Sequence, residues 1–213
     1  MTCTGSPTIH SIAGLATDPR VVDMSFLSAL LRVSIVGWVG VEIVLAGRDI
    51  ARRKVGARRD RGTRVVVALS LVAAFAIGWL VRIRVPALGT PAPEVFASAG
   101  VVVIWIGLAV RVWAVVALGG SFSTYVQVAD DQPVVTSGPY RWVRHPSYTG
   151  LLLICLGFGV AIGNWLSILV CVVVPALGLL PRIAVEESEL VRVLGERYRR
   201  YQATTHRLIP GLW

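Results

Sequence analysis

Five stretches of this chain are too apolar to be left in water, and that limits its fold more than any motif does. Residues 24–46, 65–85, 95–118, 147–163 and 165–180 are apolar runs joined by polar connectors. A helix needs about 20 apolar residues to cross a hydrocarbon layer about 30 Å thick. Lipid offers no partner for a bare N–H or C=O, so such runs must be helical. Hydrophobic residues make up 55% of the 213 and mean hydropathy is +0.70, which excludes a soluble domain of this size. The chain reads as an all-α, polytopic membrane protein with about five transmembrane helices.

Its basic residues set an orientation. The net charge of +9 does not describe a nucleic-acid face, because the charges lie between the apolar runs. Eight fall in 48–64, two are Arg141 and Arg144, and six run from Arg182 to Arg207. With five crossings these all share one side, leaving Arg20, Arg82 and Arg84 on the other. The positive-inside rule then puts the N-terminus outside and the C-terminus in the cytoplasm, in the cell (inner) membrane. Arg32, Glu42 and Arg111 lie within runs, where a charge is costly unless it faces the bundle or snorkels.

Three regions follow. Residues 1–22 form a polar N-terminal extension without the basic start and apolar core of a signal peptide. Residues 23–118 carry three helices and the basic cytoplasmic loop 48–64. Residues 119–213 carry a helical hairpin, 147–180, turning at Gly163-Asn164, and a cytoplasmic C-terminal helix. Cys3, Cys155 and Cys171 have no metal-ligand spacing, and the last two read as small membrane-core residues. His10 and His206 lie apart from the polar blocks and read as solvated.

Two polar blocks flank the hairpin. The first, 137–150, holds Pro139, Tyr140, Arg141, Trp142, Arg144, His145, Pro146 and Tyr148. Pro139 suits the start of a helical turn, and the residue before Pro146 is pushed from helical geometry, so a break is expected at His145 with a new helix from Pro146. The amides at that helix start could take an anionic group. The same composition also fits an interfacial anchor, with Tyr140, Trp142 and Tyr148 as an aromatic belt and snorkelling arginines. The second block, 182–201, begins with Arg182, Glu186 and Glu187 on a continuation of the fifth helix. Arg182 and Glu186 one turn apart suit a solvated ion pair. They equally suit an amino-acid-like ligand, whose ammonium a carboxylate holds and whose carboxylate an arginine holds.

Gly138-Pro139-Tyr140, Arg144-His145-Pro146-Ser147-Tyr148 and Gly150 resemble the signature of the isoprenylcysteine carboxyl methyltransferase family. So does Arg182 followed by Glu186-Glu187, Leu190, Gly195-Glu196, Tyr198, Tyr201 and Ile209-Pro210. The resemblance covers about 119–213; residues 1–118 match only as generic membrane helices. It implies a membrane enzyme that uses S-adenosylmethionine to methylate the carboxylate of an isoprenylcysteine-like or other lipophilic acceptor at the cytoplasmic face. It implies a cofactor pocket lined by Gly138, Tyr140, His145, Pro146, Tyr148 and Gly150, with Glu186 and Glu187 at the methionine end. Arg182, Glu186 and Arg144 are the residues it implies for catalysis, Arg182 orienting the acceptor carboxylate. Here Ala184-Val185 precede the acidic pair where animal members carry a longer acidic run, which leaves the roles of the two glutamates undivided.

The chemistry is consistent with these residues. A sulfonium methyl is already electrophilic and a carboxylate already nucleophilic, so positioning and exclusion of water suffice, with no metal or covalent intermediate. Two other readings share features of the chain. A phospholipid N-methyltransferase would use the same cofactor but need a base for the amine proton. A sterol-reductase-like enzyme would bind NADPH instead. The expected partners are a lipophilic or prenylated substrate and membrane lipids, with no nucleic acid.

Overall fold

A computed structural model of the chain describes residues 19–51, 62–119 and 134–211, with side chains in 25–48, 62–119 and 134–211. Residues 1–18 of the polar extension, most of the basic connector (52–61) and residues 120–133 lie outside the described residues, and Cys3 and His10 with them. Six α-helices are described: α1 (Pro19–Ala51), α2 (Thr63–Arg84), α3 (Pro93–Leu118), α4 (Pro146–Ile162), α5 (Trp165–Leu194) and α6 (Glu196–Thr204). Four contain stretches long and apolar enough to cross a membrane: Ser25–Arg48, Thr63–Arg84, Pro93–Leu118 and Trp165–Leu194. The fourth of the expected five, α4, is apolar but only 17 residues long.

The helices alternate in direction and pack as a bundle. α4 lies antiparallel on α3, α5 antiparallel on α2, and α4 also meets α5. The α3–α4 contact is built on glycine. A Cβ on Gly107 would stand 2.7 Å from Gly150 O, and one on Gly157 would stand 2.6 Å from Gly100 O. Two glycines seven residues apart on each helix therefore let the backbones touch, the usual device where lipid gives helices no hydrophobic reason to associate. Along α2–α5, Gly78 meets Cys171, Ser70 meets Gly178 and Thr63 meets Arg182. Cys155 and Cys171 are free and fully buried, as small core residues.

The hairpin turn is as the sequence predicts. Gly163 takes φ 71°, where a side chain is strained, and Asn164 caps α5 by accepting from Leu166 N and Ser167 N, both at 3.1 Å. Asn164 Nδ2 also donates to Val85 O at 2.9 Å, tying this end to the end of α2. At the opposite end, Gly195 at φ 58° separates α5 from α6. α6 folds back so that Tyr198 and Tyr201 are buried with Leu194, while Arg197, Arg199 and Arg200 face out.

The intramembrane charges pair inside the bundle. Arg111 Nη2 on α3 donates to Glu42 Oε2 on α1 at 2.7 Å, and its Nε lies 2.6 Å from Oε1. Trp38 Nε1 donates to the same carboxylate at 2.9 Å. Arg111 Nη1 reaches on to α4, donating to Ser147 Oγ at 2.8 Å and Ser147 O at 3.1 Å. Arg32, by contrast, is exposed and donates to Ser28 Oγ at 3.3 Å.

Candidate active site

Both polar blocks come together at the bundle end where α3 finishes, α4 begins and α5 emerges. The first block opens with a 3-10 turn, Gly138–Arg141, with Pro139 near its start. Backbone then breaks at His145 (φ −123°, ψ 55°), and α4 starts at Pro146. The break follows from proline: Pro146 has no N–H to continue a helix and crowds the residue before it. His145 O becomes the first acceptor of α4, from Tyr148 N at 3.0 Å and Thr149 N at 3.1 Å.

The side chains of α5 meet this turn, the start of α4 and the residues after α6. Glu187 Oε1 accepts from Arg144 Nε at 2.8 Å and lies 3.2 Å from His145 Nε2. Glu187 Oε2 accepts from Arg207 Nε at 3.1 Å. Glu186 Oε2 accepts from the Tyr148 hydroxyl at 2.7 Å, and that hydroxyl accepts from Arg182 Nε at 3.1 Å. Arg182 Nη1 also donates to Thr63 Oγ1 at 3.2 Å, at the start of α2. The His145 ring stacks on Tyr148, with centroids 5.5 Å apart and planes at 16°.

This arrangement does not suit an interfacial anchor. An anchor would expose its aromatics and arginines, yet Tyr140, His145 and Pro146 are buried and the Arg144 side chain is only 10% exposed. Trp142 alone of the three aromatics is exposed, beneath the Arg141 guanidinium, whose Cζ is 3.9 Å from the ring centroid. Charged groups buried beside one another are not a solvated face.

Among the expected site residues, Arg144, His145, Tyr148, Arg182, Glu186 and Glu187 form one connected cluster. Gly138 and Tyr140 pack against α3 and α6 instead. A Cβ on Gly138 would lie 3.3 Å from Ala117 Cβ, and Tyr140 O accepts from the Tyr201 hydroxyl at 2.6 Å. Burial pushes the Tyr201 phenol up to about 12, partly opposed by the Arg144 charge, so it stays a donor at ordinary pH. Gly150 faces away, toward α3, where a Cβ would lie 2.6 Å from Gly107 O.

Sequence reasoning missed the segment that returns after α6. Residues 205–208 run beside 142–145, with Arg144 N donating to His206 O at 2.7 Å, His145 N to Arg207 O at 3.0 Å and His206 N to Trp142 O at 3.2 Å. His206 is exposed as expected, but its backbone is part of the site's frame. Nothing in the composition of 205–208 foretells this, since backbone pairing leaves no side-chain signature. Arg111, Glu42 and Ser147 join α1, α3 and α4 near the start of α4, and a charge within an apolar run is itself a signal of such a partner.

The donor set suits an amino-acid-like ligand. Among the described residues Glu186 accepts one hydrogen bond, leaving carboxylate lone pairs for an ammonium, with an arginine on the same relay. Among the described residues no group of three or more His, Cys, Asp or Glu is arranged to hold a metal ion.

Known proteins resemble this chain. Residues 100–192, which span α4 and most of α3 and α5, match the isoprenylcysteine carboxyl methyltransferase (ICMT) family. A protein of Oryza sativa subsp. indica named probable protein-S-isoprenylcysteine O-methyltransferase is 30% identical over 185 residues, covering 85% of this chain and 94% of that one. The protein-S-isoprenylcysteine O-methyltransferase of Schizosaccharomyces pombe is 34% identical over 119 residues, 55% of this chain and 50% of its own. The solved structure of a eukaryotic intramembrane Ras methyltransferase, ICMT, superposes with a TM-score of 0.56 at 27% identity, over 68% of this chain and 52% of that one. A match to the rice protein along nearly its whole length, and a solved relative with the same helical frame, leave one assignment: this integral membrane protein belongs to the isoprenylcysteine carboxyl methyltransferase family.

Proposed function

We propose that this protein transfers a methyl group from S-adenosylmethionine to the carboxylate of an isoprenylcysteine-like or other lipophilic acceptor. The observation that carries the proposal is the convergence of Arg144, His145, Tyr148, Arg182, Glu186 and Glu187, from two blocks far apart in sequence, into one hydrogen-bonded cluster. The names of the relatives support a carboxyl acceptor.

When bound, S-adenosylmethionine supplies a methyl on a positively charged sulfur, reactive toward a carboxylate. Glu186 is suited to hold the ammonium of its methionine end, and His145, Tyr148, Tyr140 and Gly138 to line its surroundings. Arg182, braced by Tyr148 and Thr63, is suited to hold the acceptor carboxylate in line. Arg144 is tied to Glu187 and to Gln202 O at 3.1 Å, and also donates to Thr205 O, so it holds the turn in place beside the reacting groups. Pro146 fixes where α4 starts, and Gly150 lets α4 seat on α3. No base is required, because a carboxylate acceptor carries no proton to remove near neutral pH. A lipid amine would need one, and His145 Nε2 is already engaged with Glu187.

The orientation belongs to the same proposal. Five crossings, with the N-terminus outside and 119–213 as the catalytic part, put the site at the cytoplasmic face of the cell membrane, where a water-borne donor and an oil-borne acceptor meet. The bundle supports it: Thr63 beside Arg182, and Tyr140 OH donating to Ala114 O at 3.4 Å, bring residues 62–64, 134–145 and 182–211 to one end.

The test is methyl transfer from labelled S-adenosylmethionine by the purified full chain in lipid nanodiscs. Prenylcysteine analogues should be methylated and phosphatidylethanolamine should not, and S-adenosylhomocysteine rather than NADPH should bind. Arg182→Ala and Glu186→Ala should abolish transfer while the protein stays folded. Full activity in either variant, or transfer only to the lipid amine, would refute the proposal.

A further inference from the structure

After α6 the chain returns along the first polar block, and its backbone fixes where Arg144 and His145 stand. Besides the three amide hydrogen bonds between 142–145 and 205–208, Thr149 Oγ1 donates to Leu208 O at 2.7 Å. Leu208 is buried in the apolar cluster that includes Leu151 and Ile183. This strap is therefore anchored at both ends of the break that precedes α4.

One side chain of the strap crosses back to α5. Arg207 Nε reaches Glu187 Oε2 at 3.1 Å, while Oε1 faces Arg144 Nε at 2.8 Å and His145 Nε2 at 3.2 Å. Both oxygens of Glu187 are thus engaged, and its side chain is only 7% exposed. A carboxylate only accepts, so His145 Nε2 carries the proton of that contact. Without Arg207, Oε2 loses this donor, and the carboxylate that sets the His145 ring is held from one side only.

We propose that Arg207 is a positioning residue for methyl transfer. By holding Oε2 it makes Glu187 a fixed post for Arg144 and His145, leaving Glu186 as the acidic side chain that meets the ligand. The inference rests on the reading of this cluster as a methyl-donor site, and it divides the roles of two neighbouring glutamates that their sequence leaves equivalent.

The experiment compares Arg207→Met and Arg207→Lys in the full chain, in detergent micelles. Without ligand, it reads hydrogen exchange at the Arg144 and His145 amides and the ¹⁵N imidazole signals of His145. With S-adenosylmethionine and a prenylcysteine analogue, it reads kcat and KM separately. In R207M, exchange at both amides should speed up and the Nε2–H signal should give way to a tautomer mixture. Its kcat should fall about 10- to 100-fold, with KM changed less, as expected when orientation rather than contact is lost. R207K should recover most of both effects, and Glu187→Gln should reproduce the loss seen in R207M. Unchanged exchange and imidazole signals in R207M, or equal impairment of R207M and R207K, would overturn the role of Arg207. Absence of transfer by the unsubstituted protein would overturn the proposed function instead, and the ligand-free signals would still decide the Arg207 contact.

Discussion

Arg182 and Glu186 share the hydroxyl of Tyr148, which accepts from Arg182 Nε at 3.1 Å and donates to Glu186 Oε2 at 2.7 Å. The two charged groups proposed to hold acceptor and donor are therefore set by one neutral atom on a different helix. That couples the start of α4 to the emerging end of α5.

Tyr148→Phe removes that atom and nothing else of size. Hydrogen bonds to charged groups are worth about 1.5 to 3 kcal/mol. Loss of their orienting effect should lower kcat/KM between about tenfold and about a hundredfold. The stack on His145 survives in the variant, so S-adenosylhomocysteine binding, measured by calorimetry, should weaken less than turnover.

The α3–α4 seam should tolerate no added methyl. Gly107→Ala and Gly150→Ala each place a Cβ under 3 Å from facing backbone. Overpacking of this kind costs about 1 to 3 kcal/mol. Both variants should melt earlier in detergent than the parent, and Gly37→Ala, with nothing within 4 Å of its Cβ, should not.

Glu42→Gln should destabilise the bundle by about 3 kcal/mol, because it leaves the buried Arg111 guanidinium without its counter-charge. Pairing it with Arg111→Met removes the stranded charge and should restore part of that loss in thermal unfolding. An unchanged or greater loss in the double variant would show that the ion pair is not what joins α1 to α3.

Tyr201 supplies a pH test. Its phenol is raised from 10.0 to about 12 by burial, so the folded state holds this proton more tightly than the unfolded chain. Its contribution to stability is then complete below about pH 10 and is lost as pH rises toward 12. Ultraviolet titration of the folded protein should show one tyrosine ionising near pH 12 that is lost in Tyr201→Phe, while Tyr140 and Tyr198, raised further by burial, ionise later in both.

Much of this architecture could be read from residues that act locally. The turn at Gly163-Asn164 and the break before Pro146 follow from glycine, asparagine and proline chemistry, and each stands where expected. The runs at 65–85 and 95–118 become α2 and α3 within two residues at either end. α1 starts earlier than its apolar run, at Pro19, because a helix can extend past its apolar part. What escaped notice depends on distant partners. Gly100 and Gly107 match Gly150 and Gly157 in spacing, but only packing reveals that the pairs face each other. Arg111 looked like an interruption until Glu42 and Ser147 stood beside it. The strap at 205–208 works through its amides, which every sequence has.

The brevity of α4 has a consequence for how a lipid could arrive. Its 17 residues rise about 26 Å, some 4 Å short of the hydrocarbon thickness. Asn164 ties its far end to the end of α2, which leaves the His145 end as the one free to fall short. A bilayer meets such a deficit by dimpling, at a cost of fractions of a kcal/mol per Å. With the five crossings proposed above, such a dimple would thin the leaflet beside Tyr148 and give a greasy tail a lateral way in while its polar tip stays wet.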